Sequence, residues 1–196
     1  MSAKDKLLRA ARECLLTKGY AHTTVRDLVA ASGANQASIN YHFGSKEHLL
    51  TRALRDLNEE WGELLFAALE EPGGADGTPG QEALWGRIIA SVQANRALWF
   101  VNFESVASAR QDEEIRGMLA AGQELARASL ARAFAGLGPD SDPEEVRAVG
   151  SHYFALLVGL AAQWLADPER APDAARFAAL AATPAGGGRR NAARTG

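Results

Sequence analysis

Cysteine is nearly absent from this sequence, since Cys14 is the only one among 196 residues. A single cysteine excludes an intramolecular disulfide framework and fits a reducing, cytoplasmic compartment. No apolar run reaches the roughly 18 residues of a membrane-spanning helix, and the N-terminal MSAKDKLLRAARE lacks the apolar core of a signal peptide. Strand-forming Val, Ile and Thr are sparse, whereas alanine is common. These absences predict a soluble, intracellular, all-helical protein.

Reactive residue types are scattered rather than clustered. The four histidines show no metal-ligand spacing, and one cysteine cannot supply a zinc signature. The serines lack a G-x-S-x-G context, and no glycine-rich loop follows a strand as a phosphate-binding loop does. We therefore predict no catalytic residue, no metal and no cofactor, and this argues against an enzyme.

Charge is distributed unevenly along the chain. The formal net charge is −3, but residues 1–55 carry nine Lys/Arg and four Asp/Glu and so have a net charge of +5. The remaining residues have a net charge of −8. A basic segment on an acidic remainder indicates a polyanionic partner for that segment, although a solvated basic face gives the same count.

Apolar residues recur at helical spacing along most of the chain. We expect a head of residues 1–48, a body of residues 49–183 and a low-complexity, disordered tail of residues 184–196. Residues 71–81, EPGGADGTPGQ, predict a flexible loop. The pattern predicts nine helices, at about 4–18, 25–31, 35–43, 46–70, 81–94, 96–109, 113–135, 143–165 and 172–182.

Two short helices in the head are joined by a turn that contains Gly33. The first opens on a capping box, in which Thr24 accepts from the first turn and Asp27 reaches back. Glycine suits the positive φ that such a turn requires. Two short helices around a three-residue turn, within a three-helix head, are the helix-turn-helix arrangement.

The second of these helices has two unlike faces. Ile39 and Phe43, four residues apart, predict an apolar face against the first two helices. The other face carries uncharged hydrogen-bonding groups, which are the types that read base edges in a major groove. Lys46 then lies in the first turn of the next helix, where it opposes the helix dipole at a cost of roughly 0.3–1 kcal/mol. A DNA phosphate at that helix end reverses the sign; the alternative is a solvated lysine.

At this point the chain resembles the TetR family of transcriptional regulators over about residues 4–55. The resemblance implies an all-helical homodimer whose heads enter successive major grooves of a palindromic operator, and whose body binds a small-molecule inducer. It places Thr24, Tyr41, His42 and Lys46 at phosphates and Arg26, Gln36 and Ala37 at bases. Asn40 departs from the family, which often has an aromatic residue there. The resemblance is carried by the segments Gly19-Tyr20, Thr23–Leu28, Ala31-Ser32-Gly33 and Ser38–Glu47. The candidate DNA-binding residues are Thr24, Arg26, Asn35, Gln36, Ala37, Ser38, Asn40, Tyr41, His42 and Lys46.

The C-terminal segment resembles the family more weakly, over residues 156–182. The resemblance implies that the last two helices form a four-helix bundle with those of a partner subunit. Small residues in this region permit close helix approach, either across such an interface or only within the monomer. The predicted interface residues are Gly159, Ala162, Phe177 and Ala178.

A run of aromatic residues, LWFVNFES at 98–105, lies on the sixth predicted helix. These side chains either line an apolar ligand cavity or fill an ordinary core. Glu104, amid bulky apolar groups, is either solvent-facing or a buried acid suited to a cationic or hydroxylated ligand. The candidate ligand-binding residues are Trp61, Trp85, Trp99, Phe100, Phe103, Glu104, Met118 and Phe154.

The favoured interpretation is a ligand-responsive, dimeric DNA-binding repressor. One rival is a constitutive DNA-binding protein with no inducer, which predicts a filled body. The other rival is a helical enzyme, which needs a convergent catalytic set that this sequence does not supply.

Overall fold

The computed structural model describes residues 1–70, 80–110 and 112–181, and within these ranges the chain forms nine helices and no strand. Their order in the chain matches the predicted one. The predicted loop at 71–81 falls mostly on residues 71–79, and the predicted tail falls on residues 184–196; both lie outside the described residues. The helices are α1 (Ala3–Lys18), α2 (Val25–Ser32), α3 (Gln36–Phe43), α4 (Lys46–Glu70), α5 (Gln81–Ala94), α6 (Arg96–Ser108), α7 (Glu113–Ala135), α8 (Pro143–Ala166) and α9 (Ala174–Ala181).

Local capping signals explain most helix ends. The Thr24–Asp27 capping box opens α2, and Gly33 ends it in the left-handed conformation with φ 67°. Asp142 followed by Pro143 predicts a helix start, and in the structure Asp142 caps α8 with Pro143 at its first position. These three predictions are confirmed.

Three boundary predictions need correction. Asn35 caps α3 from outside the helix, because its side-chain oxygen accepts from the backbone of Ser38. Helix α9 begins at Ala174 because the carboxylate of Asp173 accepts from the Arg176 N–H, 2.8 Å away. Gly19 after the first helix predicts a left-handed C-terminal cap, but it ends α1 at φ 79° and ψ 169°, a positive-φ conformation of another kind.

The head is built on α1. This helix packs against α2, α3 and α4. The apolar faces meet in a core where Leu7, Leu28, Ile39 and Leu50 are each at most 1% exposed. Burial of Ile39 turns the opposite face of α3 outward.

In the body, α4 packs against α5, α6 and α7. Trp61 of α4 meets Trp99 of α6 edge-on, with ring centroids 5.3 Å apart. Helix α8 crosses α7 so closely that a Cβ on Gly150 would lie 2.3 Å from the carbonyl oxygen of Arg127. Only glycine fits there, so this crossing fixes the position of α8 on the body.

Candidate DNA-binding face and ligand cavity

The outer face of α3 is solvent-exposed and polar. Gln36, Ala37 and Asn40 are exposed, and Tyr41 has 85% of its surface in solvent. An aromatic side chain this exposed, on a helix anchored by a buried isoleucine, is available to a partner. The structure therefore presents these four predicted DNA-binding residues together on one surface.

Two further predicted residues, at the start of α3, are hydrogen-bonded to each other. The Asn35 side-chain oxygen accepts from the backbone N–H of Ser38 at 2.9 Å and from its hydroxyl at 3.0 Å. Capping α3 thus occupies that oxygen, and the amide N–H groups of Asn35 are the part left for DNA. His42 is half-buried and lies edge-on between its neighbours Tyr41 and Phe43.

Thr24 lies at the start of α2 in a charged network. Its hydroxyl donates to Asp27 at 2.6 Å, and Lys18 of α1 pairs with the same carboxylate at 2.5 Å. The ammonium of Lys18 and the Thr24 donors hold the pKa of Asp27 well below its usual range. The hydroxyl proton of Thr24 is therefore directed at Asp27, and a phosphate contact by that hydroxyl requires it to turn.

Lys46 lies next to this network. Its Nζ donates to the carbonyl oxygen of Thr23 at 3.4 Å and lies 3.5 Å from the Glu47 carboxylate. Arg26, on the first turn of α2, is exposed and has no ion pair in the part of the chain that the structure describes. The fold thus brings Thr24, Arg26 and Lys46 to one edge of the α3 surface.

A cavity of about 740 Å³ lies in the body, between α4, α6, α7 and α8. Four of the predicted ligand-binding residues line it: Trp61, Phe103, Met118 and Phe154. The walls are mainly apolar, and the volume is in the range of drug-sized ligand sites. The other lining residues are Arg55, Asn58, Glu59, Gly62, Glu63, Phe66, Asn102, Val106, Leu119, Ala121, Gly122, Gln123, Leu125 and Val158.

Hydrogen bonds fix the polar wall of the cavity. The side-chain amide of Asn58 donates to Ser105 at 3.0 Å, and that of Asn102 donates to the Asn58 oxygen at 2.9 Å. Ser105 is fully buried and donates in turn to the Val101 carbonyl at 2.7 Å. These bonds lock α4 and α6 together beside the cavity.

The charges around the cavity do not cancel. Arg55 donates to Glu114 at 2.5 Å, so its charge is matched within the protein. Glu59 and Glu63 are exposed, one helical turn apart on α4, and have no ion-pair partner among the described residues. The cavity therefore combines apolar walls with two unmatched carboxylates at its edge.

The other four predicted ligand-binding residues lie outside this cavity. Trp85 is fully buried, with its ring centroid 4.6 Å from Phe134, because α5 faces the centre of the body. Trp99 is 1% exposed behind Trp61 and belongs to the core. Phe100 is 48% exposed on another face of α6, where Arg96 lies 5.9 Å from its ring centroid. Glu104 turns toward the head and bonds to the backbone of Tyr20.

Sequence reasoning missed most of the polar cavity residues. Glu59 and Glu63 stand four apart beside the core position Trp61, and this spacing was the available signal for a charged edge. Leu125 and Val106 line the cavity although they are 62% and 58% exposed. Helical periodicity does not show which helices face α4, so it could not identify Leu125 and Val106 as cavity residues.

The two predicted interface residues on α8 are exposed, whereas the two on α9 are not free. Gly159 and Ala162 lie on the outer surface of α8. Ala178 is 8% exposed, and Phe177 lies edge-on against Trp85 with centroids 4.7 Å apart. Both hold α9 onto α5 of the same chain, so they contribute to the core of the monomer.

Helix α8 leaves an apolar surface uncovered in the monomer. Among the described residues it is the one helix long and apolar enough to cross a membrane, by length and composition alone. The mean hydropathy of its most apolar 18-residue stretch is 1.3, yet only 28% of that stretch is buried. An exposed stripe runs along it at alternating spacings of four and three: Ala148, His152, Ala155, Gly159, Ala162 and Ala166.

The fold and the face of α3 define a helix-turn-helix DNA-binding protein. Residues 7–53 match the family model of bacterial regulatory proteins of the TetR family. Residues 80–184 match the model of the C-terminal region of BetI-type transcriptional repressors. The chain belongs to the TetR family and is a transcriptional regulator, in a family of regulators rather than enzymes.

Two curated relatives each match about a third of the chain or less. The chain is 35% identical over 63 residues to the HTH-type transcriptional regulator QacR of Staphylococcus aureus, covering 32% of this chain and 34% of QacR. It is 38% identical over 55 residues to the HTH-type transcriptional repressor KstR2 of Mycolicibacterium smegmatis, covering 28% and 27%. The matched segment thus spans about a third of these relatives or less.

A solved structure matches nearly the whole chain. The multidrug binding protein EbrR, complexed with ethidium, aligns with a TM-score of 0.67 at 22% identity, covering 92% of this chain and 96% of that one. At this level of identity the likeness establishes the fold alone. Both domains of the present chain therefore have the arrangement seen in that protein.

Proposed function

We propose that the protein is a homodimeric repressor that acts on DNA in the cytoplasm and binds a palindromic operator. A small molecule bound in the cavity between α4, α6, α7 and α8 releases it from the operator. The observation that carries this proposal is the course of α4. This 25-residue helix begins at Lys46 beside the DNA-binding face and passes along the cavity from Arg55 to Phe66. One rigid element thus contacts both sites.

The DNA half of the proposal rests on the α3 surface. We assign Gln36, Ala37 and Asn40 to base edges, because they are exposed near the N-terminal half of the helix. Tyr41 and His42, with Thr24 and Lys46 on the flanking edge, are assigned to phosphates, and Arg26 on that edge is assigned to a base. Asn35 and Ser38 complete the surface through the groups that their mutual bond leaves free. The head, residues 1–48, supplies all of these groups.

The homodimer rests on α8. Alternating spacings of four and three are the pattern by which helices pack knobs into holes along a shared seam. Small side chains on the stripe allow two backbones to approach closely. Two copies of α8 that cross on Gly159 and Ala162 would cover the apolar surface that a monomer leaves in water. Two heads are also needed for tight operator binding, because one head neutralises few phosphates.

The ligand class follows from the cavity walls and charges. An apolar cation would place its body against Trp61, Phe103 and Phe154 and its charge near Glu59 and Glu63. The structural neighbour EbrR is described as a multidrug binding protein in complexes with ethidium and proflavin, which are flat organic cations. The cavity of the present chain supports a ligand of that chemistry. It also favours this proposal over a constitutive DNA-binding protein, for which a filled body is expected.

The test begins with selection of an operator from randomised duplexes by the wild-type protein. Tetraphenylphosphonium is then added, since it is a bulky apolar cation that does not intercalate into DNA. Neutral triphenylphosphine oxide serves as the matched control ligand. We expect the cation to weaken operator binding and the neutral compound to have little effect.

A double variant, Glu59→Gln with Glu63→Gln, checks the charge assignment. It should bind the operator normally and respond much less to tetraphenylphosphonium. An equal response of wild type and variant would exclude the two carboxylates. Absence of any sequence preference in the wild-type selection would exclude the operator-binding function.

A further inference from the structure

Glu104 links the body to the head. Its Oε2 accepts a hydrogen bond from the backbone N–H of Tyr20, 3.2 Å away, although the two residues are 84 apart in sequence. Both carboxylate oxygens would lie 2.7 Å from a Cβ built on Gly19, so the carboxylate rests on the glycine backbone. The turn between α1 and α2 is thereby joined to α6 through this side chain.

Gly19 is required in this contact for two independent reasons. Its φ of 79° lies in a region that residues with a Cβ rarely adopt. In addition, a Cβ would displace the Glu104 carboxylate from this position. Gly19 therefore both ends α1 and leaves the space that the Glu104 carboxylate occupies.

From this turn, hydrogen bonds continue to the DNA-binding edge. The hydroxyl of Thr23 is buried and donates to the Gly19 carbonyl at 2.8 Å. Lys46 donates to the Thr23 carbonyl at 3.4 Å, and Thr24 is the N-cap of α2. A shift of the Gly19 turn thus acts on the residues assigned to phosphates.

On its other side, α6 faces the cavity. Asn102, Phe103 and Val106 line the cavity, and Phe103 directly precedes Glu104. Successive side chains project about 100° apart around a helix, so one helix can present Phe103 to the cavity and Glu104 to the head. A ligand that displaces α6 therefore displaces the Glu104 carboxylate with it.

We propose that Glu104 is a positioning residue that sets the orientation of the head on the body and transmits displacement of α6 to the α1–α2 turn. This connection is separate from the course of α4, and it deepens the proposed function, on which it rests. Operator binding by a dimer requires both heads at a fixed separation, so a small change of head orientation weakens specific binding. Binding of one head to random DNA does not require a fixed separation of the two heads.

The test compares three variants of the full-length protein. Glu104→Ala removes the acceptor, Glu104→Gln keeps an oxygen at the same position without the charge, and Glu82→Ala is the control. Glu82 is an exposed glutamate of α5 with no hydrogen bond or ion pair in the described ranges. The measurements are amide hydrogen exchange at Tyr20, thermal unfolding, and affinity for the selected operator and for a random duplex.

In Glu104→Ala we expect exchange at Tyr20 to be about tenfold faster, because the amide loses its acceptor. Operator Kd should rise about fivefold or more, within the usual range of coupling between sites, while random-duplex affinity stays within about twofold. Glu104→Gln should restore most of both properties, because it still accepts from the amide. Glu82→Ala should match wild type in every measurement.

Three results would overturn the positioning role. The first is unchanged exchange at Tyr20, which means that the contact does not form in solution. The second is faster exchange with unchanged operator affinity, which means that the contact exists without positioning the head. The third is equal loss in Glu104→Ala and Glu104→Gln, which means that the acceptor is irrelevant. A wild type that selects no operator would instead remove the proposed function itself, and with it the role of Glu104.

Discussion

At the scale of single residues, the cations at the DNA-binding edge differ in how firmly the protein itself holds them. Lys18 is paired at 2.5 Å with Asp27. Lys46 has a 3.4 Å bond to a backbone carbonyl and a 3.5 Å approach to Glu47, whose side chain is 65% exposed. A loosely held lysine in the first turn of a helix is available to an anion, whereas Lys18 is already paired with Asp27.

Replacing Lys46 with alanine should weaken binding to all duplexes by similar factors, because a phosphate contact carries no sequence information. The slope of log K against log salt should fall by about 0.9 for each head, or by about two for a dimer on both half-sites. Titrations at several salt concentrations measure this slope. Arg132→Ala, which removes an exposed cation at the end of α7, is the control and should leave the slope unchanged. An unaltered slope in Lys46→Ala would exclude the phosphate contact.

Asp27 gives a prediction about pH. Its hydrogen bonds from Lys18 and Thr24 lower its pKa in the folded protein, so its contribution to stability is complete above its unfolded pKa of about 4. That contribution declines as the pH falls below about 4 toward the lower folded pKa. Asp27→Asn should therefore lower the Tm at pH 7 and reduce the further loss of Tm between about pH 4 and pH 2.5. Asp140→Asn, an exposed loop substitution, should behave as wild type; identical pH profiles for all three proteins would contradict the assignment.

At the scale of elements, helix ends were predictable because their signals are local. Thr24 with Asp27, Gly33, and Asp142 with Pro143 each act within one turn of the chain. The residues that line the cavity were harder to predict, because they depend on which helices face each other. Trp61 and Trp85 both occupy apolar stripes, yet α4 borders the cavity and α5 fills the core.

Glu104 shows the same limit for a polar residue. Its sequence context, amid Phe100 and Phe103, left open whether it faces solvent or the ligand cavity. The structure places Glu104 on α6 directly after the cavity residue Phe103, on a different face of the helix and against the Gly19 turn. No local pattern connects residue 104 with residue 19, since the contact exists only after α1 and α6 have packed.

Helix α8 gives the prediction at this scale. A Cβ on Gly159 would meet nothing within 4 Å in the monomer, so Gly159→Glu should leave the monomer folded and, by helix propensity, slightly more stable. At a seam between two α8 helices the same change buries two charges and should give monomers. Gly117→Glu is the matched control, since Gly117 is also a helical glycine with open space around it. Sedimentation at micromolar concentration decides: a monomeric wild type, or a dimeric Gly159→Glu protein, would contradict the α8 interface.

At the scale of the whole molecule, the proposed function is a coupling between two sites. A ligand can release the operator only if it binds the DNA-incompetent arrangement more tightly than the competent one. The cavity begins at Arg55, nine residues after Lys46, or about 14 Å along α4. On the proposed account, a tilt of α4 or a displacement of α6 changes the orientation of the head, and in a dimer it changes the separation of the two heads.

The central claim is that occupation of the cavity weakens operator binding, and the most direct measurement is operator affinity with and without tetraphenylphosphonium for wild type and Phe103→Ala. Phe100→Ala, on the exposed side of the same helix, is the control. We predict that the cation raises the operator Kd of wild type and of Phe100→Ala about 5–150-fold, the usual range of such coupling. Phe103→Ala should match them without ligand and show a much smaller rise at the cation concentration that half-saturates wild type. No rise in wild type, or an equal rise in Phe103→Ala, would contradict the claim.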